Sequence, residues 1–152
     1  MKQILTIKLR NILLAWAVTT IVLVLLKYII SFFLPEFYDI QKIETIPFSM
    51  TKFFSFCVLA PIWEEALFRY APIEFVRRTT TAEKFKELQM PLVILISIVF
   101  GWMHGSVQNI WIQGVSGLGL GWVYIKNDFS YKSSVILHSL WNFMIAFGFS
   151  YL

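Results

Sequence analysis

The chain has 152 residues, of which 58% are hydrophobic and only 14% are charged, and its formal net charge is +4. A soluble domain of this size carries far more charge, so the composition excludes an ordinary soluble protein and favours a membrane-embedded one. The basic residues do not indicate nucleic acid as a partner, because they lie in short segments between apolar runs instead of along one continuous face.

Apolar stretches of the sequence predict about five transmembrane helices, each near the length of about 20 residues that crosses about 30 Å of hydrocarbon. The predicted helices cover residues 11–34, 49–76, 91–106, 109–125 and 133–152. The expected fold class is therefore all-α, a multi-pass transmembrane bundle. We expect a single membrane-embedded domain over residues 1–152, with its core at residues 50–152 and a first transmembrane helix at residues 11–34.

The first apolar stretch also has features of a signal peptide. Basic residues precede it, and Ala15 and Ala17 have the small-residue spacing of a cleavage site. The stretch continues to Leu34, which is too long for the apolar region of an ordinary signal peptide. We therefore expect this helix to be retained.

Three clusters of basic residues fall on one side of the predicted bundle. They are Lys2, Lys8 and Arg10; Arg77, Arg78, Lys84 and Lys86; and Lys126 with Lys132. Basic residues are concentrated in the cytoplasmic loops of membrane proteins. The sequence therefore predicts a cell-membrane protein with a cytoplasmic amino terminus and an external carboxyl terminus.

Residues 77–90 form a polar connection between the second and third predicted spans. Within it, residues 80–83 (Thr-Thr-Ala-Glu) match a capping box, which predicts a short interfacial helix. Pro91 suits the first turn of the following helix. Pro61 lies inside the second span and is expected to break the hydrogen bond to the Cys57 carbonyl and kink the helix, which would let water enter there.

Ionisable and polar residues interrupt three of the apolar spans, where a charged residue costs about 2.5 to 3.5 kcal/mol. The interruptions are Glu64-Glu65-Ala66-Leu67-Phe68-Arg69, Phe100 to His104, and His138 to Asn142. Charged groups at such positions nearly always face the interior of a helix bundle. The sequence therefore predicts a polar site inside the bundle.

Helical spacing separates the two adjacent glutamates. Residues four apart lie on the same face of a helix, so Glu65 is expected to pair with Arg69 while Glu64 points elsewhere. A carboxylate held by a guanidinium is a poor base, whereas an unpaired, desolvated carboxylate is well suited to proton transfer. The same spacing places Phe100 beside His104, and it places His138 beside Asn142.

These three motifs resemble those of the CAAX prenyl protease and bacteriocin-processing family of intramembrane endopeptidases, which carry EExxxR, FxxxH and HxxxN or HxxxD patterns. Here the motifs occur in the family's order on separate predicted helices, at residues 64–69, 100–104 and 138–142. The resemblance covers about residues 50–152. It implies that the core is catalytic and that the protein is an intramembrane endopeptidase.

What the resemblance implies for the site is hydrolysis of a peptide bond by an activated water. Glu64 would act as the general base, and His104 would orient or deprotonate the water. His138 and Asn142 would stabilise the oxyanion of the tetrahedral intermediate.

Other motif residues are expected to support the site. Glu65, Arg69 and Phe100 would hold it structurally. No serine or cysteine nucleophile is needed, because Ser139 points about 100° away from His138 on the helix and Cys57 falls in no motif.

A zinc-dependent mechanism is the alternative for the same site. Glu64, His104 and His138 could supply three ligands of an open zinc site, with water as the fourth. The sequence has no His-Glu-x-x-His helix, so we expect no cofactor and keep zinc as the alternative.

The expected partners are a peptide or membrane-protein substrate and the lipid bilayer, with no nucleic acid. The chain has little beyond the core, so a homo-oligomer could complete the substrate groove. The abundance of Phe, Ile and Lys is typical of a bacterial source. Two other function classes stay open: a non-catalytic bacteriocin-immunity or regulatory membrane protein, and a buried polar network that fixes helix packing or lines a transport path.

Overall fold

The computed structural model describes residues 2–33, 49–105 and 109–146, and over these ranges the fold is built of helices without a β-strand. The five helices are α1 (Lys2–Phe33), α2 (residues 50–79), α3 (Ala82–Trp102), α4 (residues 110–126) and α5 (Tyr131–Ala146). The predicted all-α fold class and number of helices are confirmed. Two of these helices are long and apolar enough to cross a membrane, judged by length and composition, along Ile4–Phe33 and Ala82–Trp102.

Helix α2, which carries both glutamates, alternates between α-helical and wider π-helical turns. Its segments are Met50–Phe54 (α), Ser55–Leu59 (π), Ala60–Glu65 (α), Ala66–Tyr70 (π) and Ala71–Thr79 (α). Each π-turn ends two residues before a proline, Pro61 or Pro72. A proline ring clashes with the carbonyl four residues earlier, and a widened turn moves that carbonyl away. The interruption predicted at Pro61 thus takes the form of a π-turn.

Helix α3 begins nine residues earlier than predicted, at Ala82, and its N-cap is Thr81, whose hydroxyl accepts a hydrogen bond from the Lys84 N–H at 3.3 Å. The predicted separate interfacial helix and the placement of Pro91 in a first turn are therefore wrong. Pro91 lies inside α3. The good helix formers at residues 83–89 favour one continuous helix, and they outweigh the single backbone hydrogen bond that a proline removes.

Helix α3 also ends earlier than predicted, at Trp102 instead of residue 106. Gly105 adopts a left-handed φ of 103°, a conformation that favours glycine and that is common just beyond helix ends. His104 consequently lies in the turn after the helix and not within it.

Helix α4 contacts α1, α3 and α5, and glycines let its backbone approach its neighbours closely. A Cβ atom on Gly121 would lie 2.5 Å from Val93 Cγ1 of α3. Two apolar clusters fill the interior on either side of α4. One comprises Ile12, Ala15, Leu120, Val123, Leu137 and Trp141, and the other comprises Ile73, Phe85, Val93 and Tyr124.

Polar contacts fix the amino-terminal end of α1 to the loop between α4 and α5. Lys8 Nζ donates to the Asn127 carbonyl at 3.0 Å, and the Asn11 side chain donates to Asn127 Oδ1 at 2.8 Å. Asn127 is 1% exposed, and its Nδ2 donates to the Lys8 carbonyl at 3.1 Å, so both ends of this buried amide are hydrogen-bonded. Helix α1 begins at Lys2, well before the predicted start at residue 11.

Candidate active site

Glu64 lies in the short α-helical segment between the two π-turns of α2 and faces two histidines. Its Oε2 atom is 3.8 Å from His104 Nε2 and 3.6 Å from His138 Nε2. Both separations exceed a direct hydrogen bond, and this oxygen is buried without a hydrogen-bond partner. The structure therefore brings together three of the residues that the motifs single out, at distances that a bridging water molecule can span.

Glu65 points to a different side of α2 and binds Arg69, as its spacing predicts. The Glu65 Oε1 atom lies 3.3 Å from Arg69 Nη1, and both side chains are almost completely buried, with exposed fractions of 0% and 1%. The same oxygen is 2.9 Å from His138 Nδ1. The predicted Glu65–Arg69 pair is confirmed, and the structure adds His138 as a partner of its carboxylate.

Arg69 is held by two further contacts in the interior. Its Nη2 donates to the Gly117 carbonyl of α4 at 3.3 Å, and its guanidinium lies 4.3 Å from the centre of the Phe100 ring. The Phe100 ring also packs edge-on against His104 and His138, at centroid distances of 4.5 and 5.8 Å. Phe100 therefore contacts the arginine and both histidines at once.

Gly117 is a site-supporting residue that the motifs did not reveal. A Cβ atom at this position would lie 3.0 Å from Arg69 Nη2 and 3.2 Å from the Ser97 side chain. The missing side chain thus gives the guanidinium room to reach the α4 carbonyl. The sequence signal was the row of small residues in α4, which is equally typical of ordinary helix packing.

Hydrogen bonding determines which ring nitrogen of each histidine carries a proton. His104 Nδ1 is 2.7 Å from the Phe100 carbonyl, which can only accept, so this nitrogen donates. His138 Nδ1 likewise donates to the carboxylate of Glu65, which also contacts Arg69. In their neutral forms both rings therefore present an unprotonated Nε2 to Glu64.

Asn142 lies one helical turn after His138, and its amide is engaged elsewhere. Its Nδ2 donates to the Phe56 carbonyl of α2 at 2.8 Å, and the residue is 8% exposed. The structure thus places Asn142 against the first π-turn of α2 and not in direct contact with Glu64. One of the two N–H groups of its Nδ2 is left for another acceptor.

The spacing of Glu64, His104 and His138 is slightly wider than that of donor atoms in an ideal tetrahedral zinc site. Zinc–ligand distances of about 2.0–2.2 Å place tetrahedral donor atoms about 3.4 Å apart. Here Glu64 Oε2 is 3.6 and 3.8 Å from the two nitrogens.

The chain is similar to a known protein family. A family model described as Rce1-like, type II CAAX prenyl endopeptidase, matches residues 46–144, a range that contains every residue of the candidate site and leaves α1 outside. No curated protein and no solved structure matches the chain.

Proposed function

The chain belongs to the Rce1-like family of type II CAAX prenyl endopeptidases, and we propose on this basis that it is an intramembrane peptidase in which Glu64 and two histidines activate water. Membership of a protease family and the apolar helices support a membrane-bound peptidase. The observation that supports the finer mechanism is the approach of Glu64 Oε2 to His104 Nε2 and His138 Nε2, at 3.8 and 3.6 Å.

The three atoms form a set of hydrogen-bond acceptors. A water molecule between them would donate one proton to the Glu64 carboxylate and one to an imidazole Nε2. Both of its protons would then be held, and an oxygen lone pair would be directed at the peptide carbonyl. Attack of this oxygen on the carbonyl carbon would pass one proton to the Glu64–histidine group and form the tetrahedral intermediate.

Glu65 and Arg69 set the behaviour of His138 during this step. When His138 Nε2 takes up a proton, the ring becomes cationic, and the buried Glu65 carboxylate at 2.9 Å stabilises that charge. The new Nε2–H is a donor that can bind the oxyanion. His138 therefore acts as an acceptor first and as an oxyanion donor afterwards, and it finally returns the proton to the leaving amine.

Exposure indicates the side from which substrate reaches the site. The side chains of Glu64 and His104 are 29% and 31% exposed, whereas that of His138 is 7% exposed and that of Glu65 is 0% exposed. A scissile peptide bond would therefore approach past Glu64 and His104, with His138 and its charged partners behind it.

The setting proposed for this activity is a multi-pass protein of a bacterial cell membrane, with a cytoplasmic amino terminus. Its partners would be a peptide or membrane-protein substrate and the lipid bilayer, and a homo-oligomer could complete the groove. No cofactor is needed by this mechanism. Zinc bound by Glu64, His104 and His138 stays the alternative.

Purified protein in detergent micelles tests the proposal with a panel of prenylated CAAX peptides, peptide-pheromone and bacteriocin precursors, and transmembrane peptides. Glu64→Gln should lower cleavage by at least about 10²-fold, the usual size of a general-base effect. The matched control is Glu87→Gln, since the Glu87 side chain is 67% exposed and pairs only with Lys84 among the described residues. A zinc chelator should leave cleavage unchanged.

Each other outcome has a defined meaning. Equal cleavage by wild type and Glu64→Gln would contradict the role of Glu64 and point to a contaminant. Loss of activity to the chelator with recovery in zinc would establish the metal-dependent alternative. If folded protein cleaved no member of the panel, the non-catalytic immunity or regulatory function would displace hydrolysis.

A further inference from the structure

We propose that Pro61 is a positioning residue, which orients the Asn142 side-chain amide through the carbonyl of Phe56. This assignment rests on the proposed hydrolysis and on the role that the family resemblance implies for the Asn142 amide, which is to bind the oxyanion. It concerns how that amide is held, and the residue it adds lies on a different helix from Asn142.

The carbonyl of Phe56 lacks the backbone hydrogen-bond donor that a regular helix would supply. In an α-helix its carbonyl would accept from the N–H of residue 60, but the Ala60 N–H instead donates to the Ser55 carbonyl across the π-turn. In a continued π-helix the next donor would be residue 61, which is a proline and has no N–H. Pro61 therefore leaves the Phe56 carbonyl without a backbone donor.

A side chain of α5 binds that carbonyl. Asn142 Nδ2 donates to it at 2.8 Å, so the orphaned acceptor is satisfied by a side chain from another helix. Because a carbonyl can only accept, the NH₂ end of the amide must face Phe56, and the C=O end cannot take its place. The orientation of the Asn142 amide is thereby fixed, with its second N–H left for the oxyanion.

This hydrogen bond lies close in sequence to the reacting groups on both helices. Pro61 is buried and lies three residues before Glu64 on α2, and Asn142 follows His138 by one turn of α5. The hydrogen bond therefore joins the helix of the general base to the helix of the oxyanion donors. A replacement that restores an N–H at residue 61 would compete with Asn142 for the Phe56 carbonyl.

The chain supplies a matched control in its second π-turn. There the Ala71 N–H donates to the Ala66 carbonyl and Pro72 follows, which repeats the local pattern around Pro61. Pro72 lies on the segment Ala71–Thr79, beyond Arg69, whereas the Asn142 amide binds the Phe56 carbonyl in the first π-turn. Pro72→Ala thus makes the same chemical change in the same local backbone without affecting Asn142.

Steady-state kinetics on a cleaved substrate test the coupling. Pro61→Ala should lower kcat about five- to tenfold with KM unchanged, the effect of one competing backbone hydrogen bond. Asn142→Ala should lower kcat by about 10² to 10³, as loss of an oxyanion donor does. In the Asn142→Ala background, Pro61→Ala should have no further effect on kcat, and Pro72→Ala should leave wild-type kcat unchanged. Equal effects of Pro61→Ala in both backgrounds would overturn the proposal.

A second measurement does not depend on activity. The chain has only four asparagines, Asn11, Asn109, Asn127 and Asn142, so ¹⁵N-asparagine labelling gives four pairs of side-chain amide signals. The Asn142 signal, identified by its loss in Asn142→Ala, should exchange slowly with solvent in the wild type and faster in Pro61→Ala.

These two measurements separate the two proposals. If wild type cleaved no substrate but the Asn142 amide responded to Pro61→Ala, hydrolysis would fail while the positioning role stood. If cleavage depended on Glu64 but Pro61→Ala changed neither kcat nor the exchange rate of the Asn142 amide, the positioning role alone would fail. If Pro61→Ala did not fold, a rapidly exchanging Asn142 amide in the wild type would by itself overturn the role.

Discussion

Replacing Arg69 with leucine removes the only arginine that contacts the buried Glu65 carboxylate in the described part of the chain. The two groups lie 3.3 Å apart with almost no exposure. At an effective dielectric constant of about 20, Coulomb's law gives about 5 kcal/mol for unit charges at that distance. Removing one partner of a buried pair typically costs about 3 to 5 kcal/mol, because the other charge is left uncompensated. We therefore expect Arg69→Leu to lower the free energy of unfolding by about 3 to 5 kcal/mol.

Arg78→Leu is a control that removes an arginine at the same distance from its glutamate but in an exposed position. Arg78 Nε lies 3.3 Å from Glu74 Oε2, but the Arg78 side chain is 71% exposed. Exposed ion pairs contribute about 0 to 1 kcal/mol, so this variant should stay close to wild type. Both are measured by titrating micellar protein with sodium dodecyl sulfate and following circular dichroism. Variants that lost equal stability would refute the conclusion that burial makes the Glu65–Arg69 pair important.

Three further predictions concern single residues near the site. Gly117→Ala should lower the free energy of unfolding by about 1 to 3 kcal/mol in the same assay, because the new Cβ would lie 3.0 Å from Arg69 Nη2. Unchanged stability would show that the guanidinium can move away from the added methyl group. Tyr131→Phe should lower the stability by about 1 kcal/mol, since its hydroxyl donates to the Ile62 carbonyl, and a larger loss would indicate another role. Ser139→Ala should leave kcat unchanged, and a large drop would point to a serine nucleophile.

Much of the site was predictable because it depends on spacing along regular helix. The pairing of Glu65 with Arg69 follows from their separation of four residues, and it holds even though Arg69 lies in a π-turn. The contact between Phe100 and His104 has the same origin, and it persists although His104 lies beyond the end of α3. Local geometry therefore gave the right neighbours even where the helix boundaries were wrong.

The remaining features depend on effects that the sequence pattern does not display. The engagement of Asn142 with Phe56 requires a carbonyl freed by a π-turn, and a regular α-helical template contains no such group. The start of α3 at Ala82 was missed because Pro91 indicated a helix start. A single missing hydrogen bond was outweighed there by several good helix formers before it.

The state of the two histidine rings tests the proposed arrangement around Glu64 most directly. The chain contains only two histidines, so ¹⁵N-histidine labelling reports on His104 and His138 without interference. At a pH where both rings are neutral, the account predicts protons on both Nδ1 atoms and unprotonated Nε2 atoms, whose ¹⁵N shifts both change in Glu64→Gln. Neutral rings protonated at Nε2, or Nε2 shifts that stay the same in Glu64→Gln, would contradict the proposed arrangement.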